Sequence, residues 1–184
     1  MRILSVLSLA AALGASVACG STTPAEPAAE GEFRPTSTIK EIMDSVVDPS
    51  ADVLWESVAT TIDRTGQTDK MPRTDEDWVT VRRSAVALVE ATNLLMIRPR
   101  RVAPAGEKSA YPGIELEPEQ IQAAVDADRT AWVKHAHDLH DAAMVALKAI
   151  DAKNVKGLMD AGEGIDEACE KCHTQYWYPD KKPS

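Results

Sequence analysis

Phenylalanine occurs once in this chain of 184 residues, and glycine (9) and cysteine (3) are almost as sparse. Glycine is scarce inside the stretches whose apolar residues recur at helical spacing, and alanine is abundant there, a composition that favours helices. No segment alternates apolar and polar residues as a half-buried strand does, and no internal repeat competes. Basic side chains are also in deficit. Twenty Lys and Arg against 29 Asp and Glu leave a net charge of −9, which disfavours nucleic acid and gives a docking partner reason to be basic. Three cysteines leave no second pair to complete a zinc site. The length suits one domain with a sizeable core.

The longest apolar run, Ile3 to Leu13, follows Arg2 and leads into Gly14-Ala15-Ser16-Val17-Ala18. It is too short to span a membrane, and residues 1–18 read as an export signal. Two processing patterns fit: a small-x-small site at Ser16-Val17-Ala18, or lipoprotein processing in which Cys19 becomes the lipidated first residue. A small residue before Cys19 and the polar segment after it resemble bacterial lipoprotein signals, although Ser16 stands where Leu is usual. Either route places the protein in the periplasm or on the outer face of a bacterial membrane. Any membrane contact would then be through the Cys19 anchor. Residues 19–37, rich in Pro, Ala, Glu, Thr and Ser, read as a flexible linker or lipoprotein tether.

From Thr38, apolar residues at Ile39, Ile42, Met43, Val46, Val47, Val53, Leu54, Val58 and Ile62 mark a first helix, bent at Pro49, with Asp48 as its local N-cap. Thr65 to Arg73 reads as a loop. A second helix runs from about Asp75 to Ile97 on the face Trp78, Val81, Ala85, Leu88, Thr92 and Leu95 or Met96, capped by Thr74. Arg98 to Glu117 forms a long loop. Pro118 opens a third helix with the face Ile121, Val125, Trp132, Leu139, Ala143, Ala146 and Ile150. The fourth carries Val155, Leu158, Ile165, Cys169, Cys172 and Tyr176 and ends at Pro179. These predict an all-α, up-down-up-down four-helix bundle over residues 38–179, with 180–184 as a tail.

Near its end the fourth helix holds Cys169-Glu170-Lys171-Cys172-His173. Two thiols three residues apart can each form a thioether to a haem vinyl group, and the adjacent imidazole then faces the iron, so the pattern implies one covalent haem c. A redox dithiol normally goes with a βαβ context, and zinc requires a second ligand pair; neither companion is present. A haem-free thiol-disulfide or zinc protein is nonetheless the contrasting class.

Four helices with this motif at the end of the last resemble the class II c-type cytochromes, the cytochrome c-prime-like family, rather than the class I proteins with an N-terminal motif. The likeness covers about Thr38 to Pro179. Its specific residues are Cys169, Cys172 and His173, with Met43 where low-spin members carry a methionine ligand. Family members that pair through helices one and two suggest a homodimer by analogy.

Helix geometry leaves Met43, level with His173, and Met96, nearer the end of the second helix, as candidates for the sixth position, and the resemblance favours Met43 over Met96 or an empty position. His135, His137 and His140, counted from Pro118, fall about 26 to 33 Å along the third helix, at the opposite pole. Met144 and Met159 read as core filler. The long loop emerges beside the motif, so Arg98, Arg100 and Arg101, with Lys108, are candidates to neutralise haem propionates, and Tyr111 to pack at the haem edge. A thioether ligand opposite the imidazole suits a non-enzymatic carrier of single electrons between redox proteins; an empty sixth position would instead suit binding of nitric oxide or carbon monoxide.

Overall fold

Thr38 starts the first helix reciprocally: its hydroxyl accepts from the Glu41 backbone N–H, and the Glu41 carboxylate accepts from the Thr38 backbone N–H. The computed structural model describes residues 33–178. The expected export signal, Cys19, most of the linker, and Pro179 with the tail lie outside the described residues. The first helix, α1 (Ile39–Ile42), passes into a π-helical turn (Met43–Val47) and then into α2 (Asp48–Ser57). Pro49 has no N–H to give Ser45, as the sequence reading requires. The chain does not restart with Asp48 as a side-chain cap, however. The Asp48 N–H reaches five residues back to the Met43 carbonyl, and no side chain caps α2. Widening the turn lets the chain stay helical across the missing bond.

The helix expected to run on to Ile62 ends at Ser57, and a hairpin follows. Ala59–Asp63 (β1) pairs antiparallel with Gly66–Lys70 (β2), Ala59 opposite Lys70 and Asp63 opposite Gly66. Thr60, Thr61 and Ile62 are β-branched and favour extended backbone. The Asp63 carboxylate then accepts from the Thr65 backbone N–H (2.7 Å) and hydroxyl (2.6 Å), and Gly66 takes up a φ of +132°. Ile62 is therefore 76% exposed rather than part of a buried face. The hairpin escapes pattern reading because neither of its faces is buried, so it has no alternation to show.

Beyond the hairpin, α3 (Asp75–Leu95) is capped by Thr74 and Asp77 and buries Trp78, Val81, Ala85, Leu88, Thr92 and Leu95, the face that the spacing predicts. The single third helix is in fact two, α4 (Pro118–Ala127) and α5 (Arg129–Asp151). Asp128 leaves helical geometry (φ −131°, ψ 72°), and its carboxylate accepts from the Ala131 N–H to start α5 afresh. After a short turn, Asn154 caps α6 (Val155–Tyr176). Met159 on α6 is 45% exposed and so is not core filler, whereas Met144 is half-buried against the core.

Directional contacts fix how the helices run. Ion pairs Arg82–Asp151 and Lys153–Asp75 join the start of α3 to the end of α5. At the other end the Trp132 indole N–H donates to the Leu95 carbonyl, and Arg129 donates to the Met96 carbonyl. Tyr176 packs edge-on against Trp132 and donates to the Asp128 carbonyl, so the end of α6 meets the start of α5. The Trp55 indole N–H donates to the Gly162 carbonyl, tying α2 to α6. Leu54, Leu88, Trp132, Leu158, Ile165 and Tyr176 lie fully buried in one apolar cluster. The described chain is thus mostly helical with one small hairpin, and no helix in it is long and apolar enough to cross a membrane.

Candidate functional site

Cys169, Cys172 and His173 occupy the last turns of α6, where spacings of three and four residues set side chains on neighbouring positions of one face. They line a small apolar cavity with Met43 and Val47 of the π-turn, Asp48, Leu95 of α3, and Trp132, His135 and Leu139 of α5. His173, Met43 and Asp48 also line a larger cleft of about 240 Å³, bounded by Val102, Leu116 and Trp177 and rimmed by Lys40, Asp44, Glu107, Lys108 and Glu115. Met43 is the residue whose carbonyl receives the five-residue bond from Asp48, so the wide turn sets Met43 and Asp48 together along the walls that His173 shares.

Burial dominates the electrostatics. It pushes the Cys169 thiol up to about 11, helped by Asp48 and Asp166, and the Cys172 thiol up to about 12, helped by Cys169. A redox-active cysteine works as a thiolate held down by nearby positive charge, and no cation is among the causes that act on these two thiols. Burial also lowers the pKa of His173, against the pull of Asp48, Glu170 and Glu115. A neutral imidazole is the form that ligates a metal. Asp48 is raised by desolvation, partly offset by His173. Among the described residues, no group of three or more His, Cys, Asp and Glu side chains is placed to hold a metal ion by itself.

The other expected residues divide. Met96 ends α3 and lines neither space beside His173; its neighbour Leu95 takes that place. Arg98 and Arg101 are exposed, and Arg100 donates to the Ser37 carbonyl in a separate groove with Phe33, Ile42 and Leu94. None of the three lines the cleft, because the chain turns after Arg101 and buries Val102 and Ala103 against it instead. Lys108 does line the cleft, and Tyr111 points to solvent.

The placement of His135 at the opposite pole is wrong. It lines the small cavity with the motif, its Nε2 lies 2.8 Å from the Gln175 Oε1, and its ring meets Tyr176 edge-on. The break at Asp128 is the reason: measured from Arg129, His135 is about 9 Å into α5, level with the end of α6. The signal was in the sequence, since an Asp three residues before Ala131 is a helix start. His137 is exposed, and His140 sits on the α5 surface beside Asp141 at 3.4 Å. Asp48, Glu115 and Trp177 are cleft residues without any pattern to single them out.

The residues fit a covalently attached haem. Two protonated thiols and a neutral imidazole stand on one helix face and share with the Met43 thioether a small cavity whose walls are mostly apolar, opening beside a cleft with a charged rim. The Nδ1 of His135 is moreover buried at the cavity wall without a hydrogen-bond partner, a need that a bound group or a water would meet. Comparison with protein-family models, with characterised proteins and with solved structures yields no match.

Proposed function

We propose that the protein is an exported mono-haem c-type cytochrome that carries single electrons between redox proteins, on a four-helix bundle of the class II kind. In this reading the four bundle helices are the α1 to α2 segment, α3, α5 and α6. The observation that carries it is the meeting of Met43, 126 residues away from the motif, with Cys169, Cys172 and His173 on the walls of one cavity. Cys169 and Cys172 would hold the haem by thioethers, and His173 and Met43 would bind its iron. Bound there, it would supply a one-electron iron couple.

The chain's own contribution follows from the geometry. Burial keeps His173 neutral, so its ring nitrogen presents a lone pair. Asp48 is the carboxylate on the walls of this cavity, and its charge pulls against the burial that lowers the His173 pKa. Val47, Leu95, Trp132 and Leu139 give the cavity apolar walls. Met43 is set by a backbone bond within the helix rather than by a loop, which favours two oxidation states with little rearrangement.

Intact mass is the first test. Co-expressed with haem-attachment machinery, the mature protein should gain the mass of one haem that denaturation does not release; Cys169→Ser with Cys172→Ser should gain none. A colourless protein of unmodified mass would end the proposal.

A further inference from the structure

Resting on the electron-carrier reading, we infer that the Tyr111 to Ile114 turn, flanked by Glu107, Glu115 and Glu119, is the docking surface for a redox protein with an apolar patch ringed by lysine or arginine. Tyr111 is 63% and Ile114 68% exposed, two large side chains from one turn turned outward together. The turn is nonetheless well anchored. The backbone N–H groups of Ile114 and Glu115 both donate to the Tyr111 carbonyl at 3.0 Å. Ser109 Oγ accepts from the Tyr111 N–H at 3.1 Å and donates to Glu115 at 3.2 Å. Gly113 supplies the φ of +85° that the reversal needs.

The base of this turn is part of the site. The Leu116 N–H donates to the Trp177 carbonyl at 2.8 Å, just past the end of α6, and both Glu115 and Leu116 line the cleft that holds His173 and Met43. Ordering a segment costs conformational entropy that burial normally offsets. Here the ordered segment presents Tyr111 and Ile114 to water, beside the cleft that His173 and Met43 line. Other strongly exposed apolar residues, such as Ile62 and Val145, lie on different elements, as scattered surface residues do.

Charge selects the partner. Between residues 107 and 119 the chain has four glutamates and one cation, Lys108, 4.0 Å from Glu117; Lys40 lies 3.5 Å from Glu107, so Glu115 and Glu119 supply most of the acidic charge of the rim. An apolar centre with a charged rim is the anatomy of a transient protein contact, and an acidic rim steers a basic partner.

The test uses the haem-loaded protein and stopped-flow electron transfer to a lysine-rimmed class I cytochrome c as the protein probe, with hexaammineruthenium(III) as a small cationic control. The rate constant with the protein probe should fall about tenfold or more as salt rises from low to physiological strength. Ile114→Ser and Tyr111→Ser should each lower it severalfold while leaving the spectrum, reduction potential and ruthenium rate unchanged. Glu119→Gln should weaken the salt dependence, and Val145→Ser should change nothing. Wild-type rates for Ile114→Ser, or an equal loss for Val145→Ser, would overturn the docking inference alone. A protein without haem, or with haem that does not exchange electrons with the ruthenium complex, would overturn both readings. Sedimentation showing a dimer that Ile114→Ser dissociates would give the surface to a second copy, which also overturns the inference.

Discussion

At the end of the molecule where α3 begins and α5 finishes, the structure is held by side-chain caps at Thr74 and Asn154 and by the exposed ion pairs Arg82–Asp151 and Lys153–Asp75. The opposite end has caps, at Thr38, Glu117 and Asp128, and exposed ion pairs from Lys40 and Lys108 as well, but it also departs from regular geometry. There the first helix widens into a π-turn, the third expected helix breaks at Asp128, and the Arg98 to Glu117 loop folds in to bury Val102 and Ala103. Each of those irregularities leaves room or repositions a side chain. Between them lie two protonated thiols, two imidazoles, a carboxylate and a thioether. Regular helices fill the space between themselves, so a cavity has to be made by departing from regularity, and the departures cluster where the chemistry-bearing residues are.

The contrast can be broken most forcefully at Trp132, which is 2% exposed and joins α5 to Leu95 and Tyr176. Trp132→Ala should cost about 3 to 5 kcal/mol in urea denaturation; a cost below about 1 kcal/mol would show that the cavity end is not held by packing. Next is shielding of the thiols. With Cys169 raised to about 11, its thiolate fraction in the haem-free protein should be roughly a hundredfold below that of an ordinary thiol. Iodoacetamide at mildly alkaline pH should therefore modify both motif cysteines far more slowly in native than in unfolded protein, and equal rates would contradict the burial.

A smaller effect is expected from His173, whose folded pKa is lowered by burial. The unfolded chain binds the proton first as pH falls through about 6.5, so the stability this group contributes is present above that value and is lost below it. The haem-free protein should lose stability between neutral and mildly acidic pH, and His173→Gln should make that loss shallower. Asp48, raised by desolvation, acts with the opposite sign and interacts with His173, so the difference between the two proteins reports the imidazole together with its effect on Asp48. An unchanged slope would argue against a buried neutral His173. At the other end Arg82→Ala should cost less than about 1 kcal/mol, because both partners are half exposed; a larger loss would erase the difference between the two ends.

Much of this was legible in the sequence because it rests on periodicity. The buried faces of α3 and α6, the break in helical bonding at Pro49 and the three motif residues all follow from local pattern. What escaped was irregular. The Ala59 to Lys70 hairpin buries neither face and so has no alternation, and Ile62 matched a helical spacing that it does not serve. Asp128 was passed over as a helix start, which moved His135 by a whole segment. The three arginines looked suited to carboxylates by type, yet only the fold could show that Arg100 turns to the Ser37 carbonyl while Lys108 stands at the cleft.

The absorption spectrum of the haem-loaded protein, oxidised and reduced, bears most directly on the central claim that Met43 and His173 face one iron. Low-spin spectra with the weak far-red band of methionine-sulfur ligation are predicted for the wild type and for His135→Ala, and loss of that band for Met43→Ala. A low-spin spectrum unchanged in Met43→Ala, or a high-spin ferrous wild type that binds carbon monoxide directly, would contradict it.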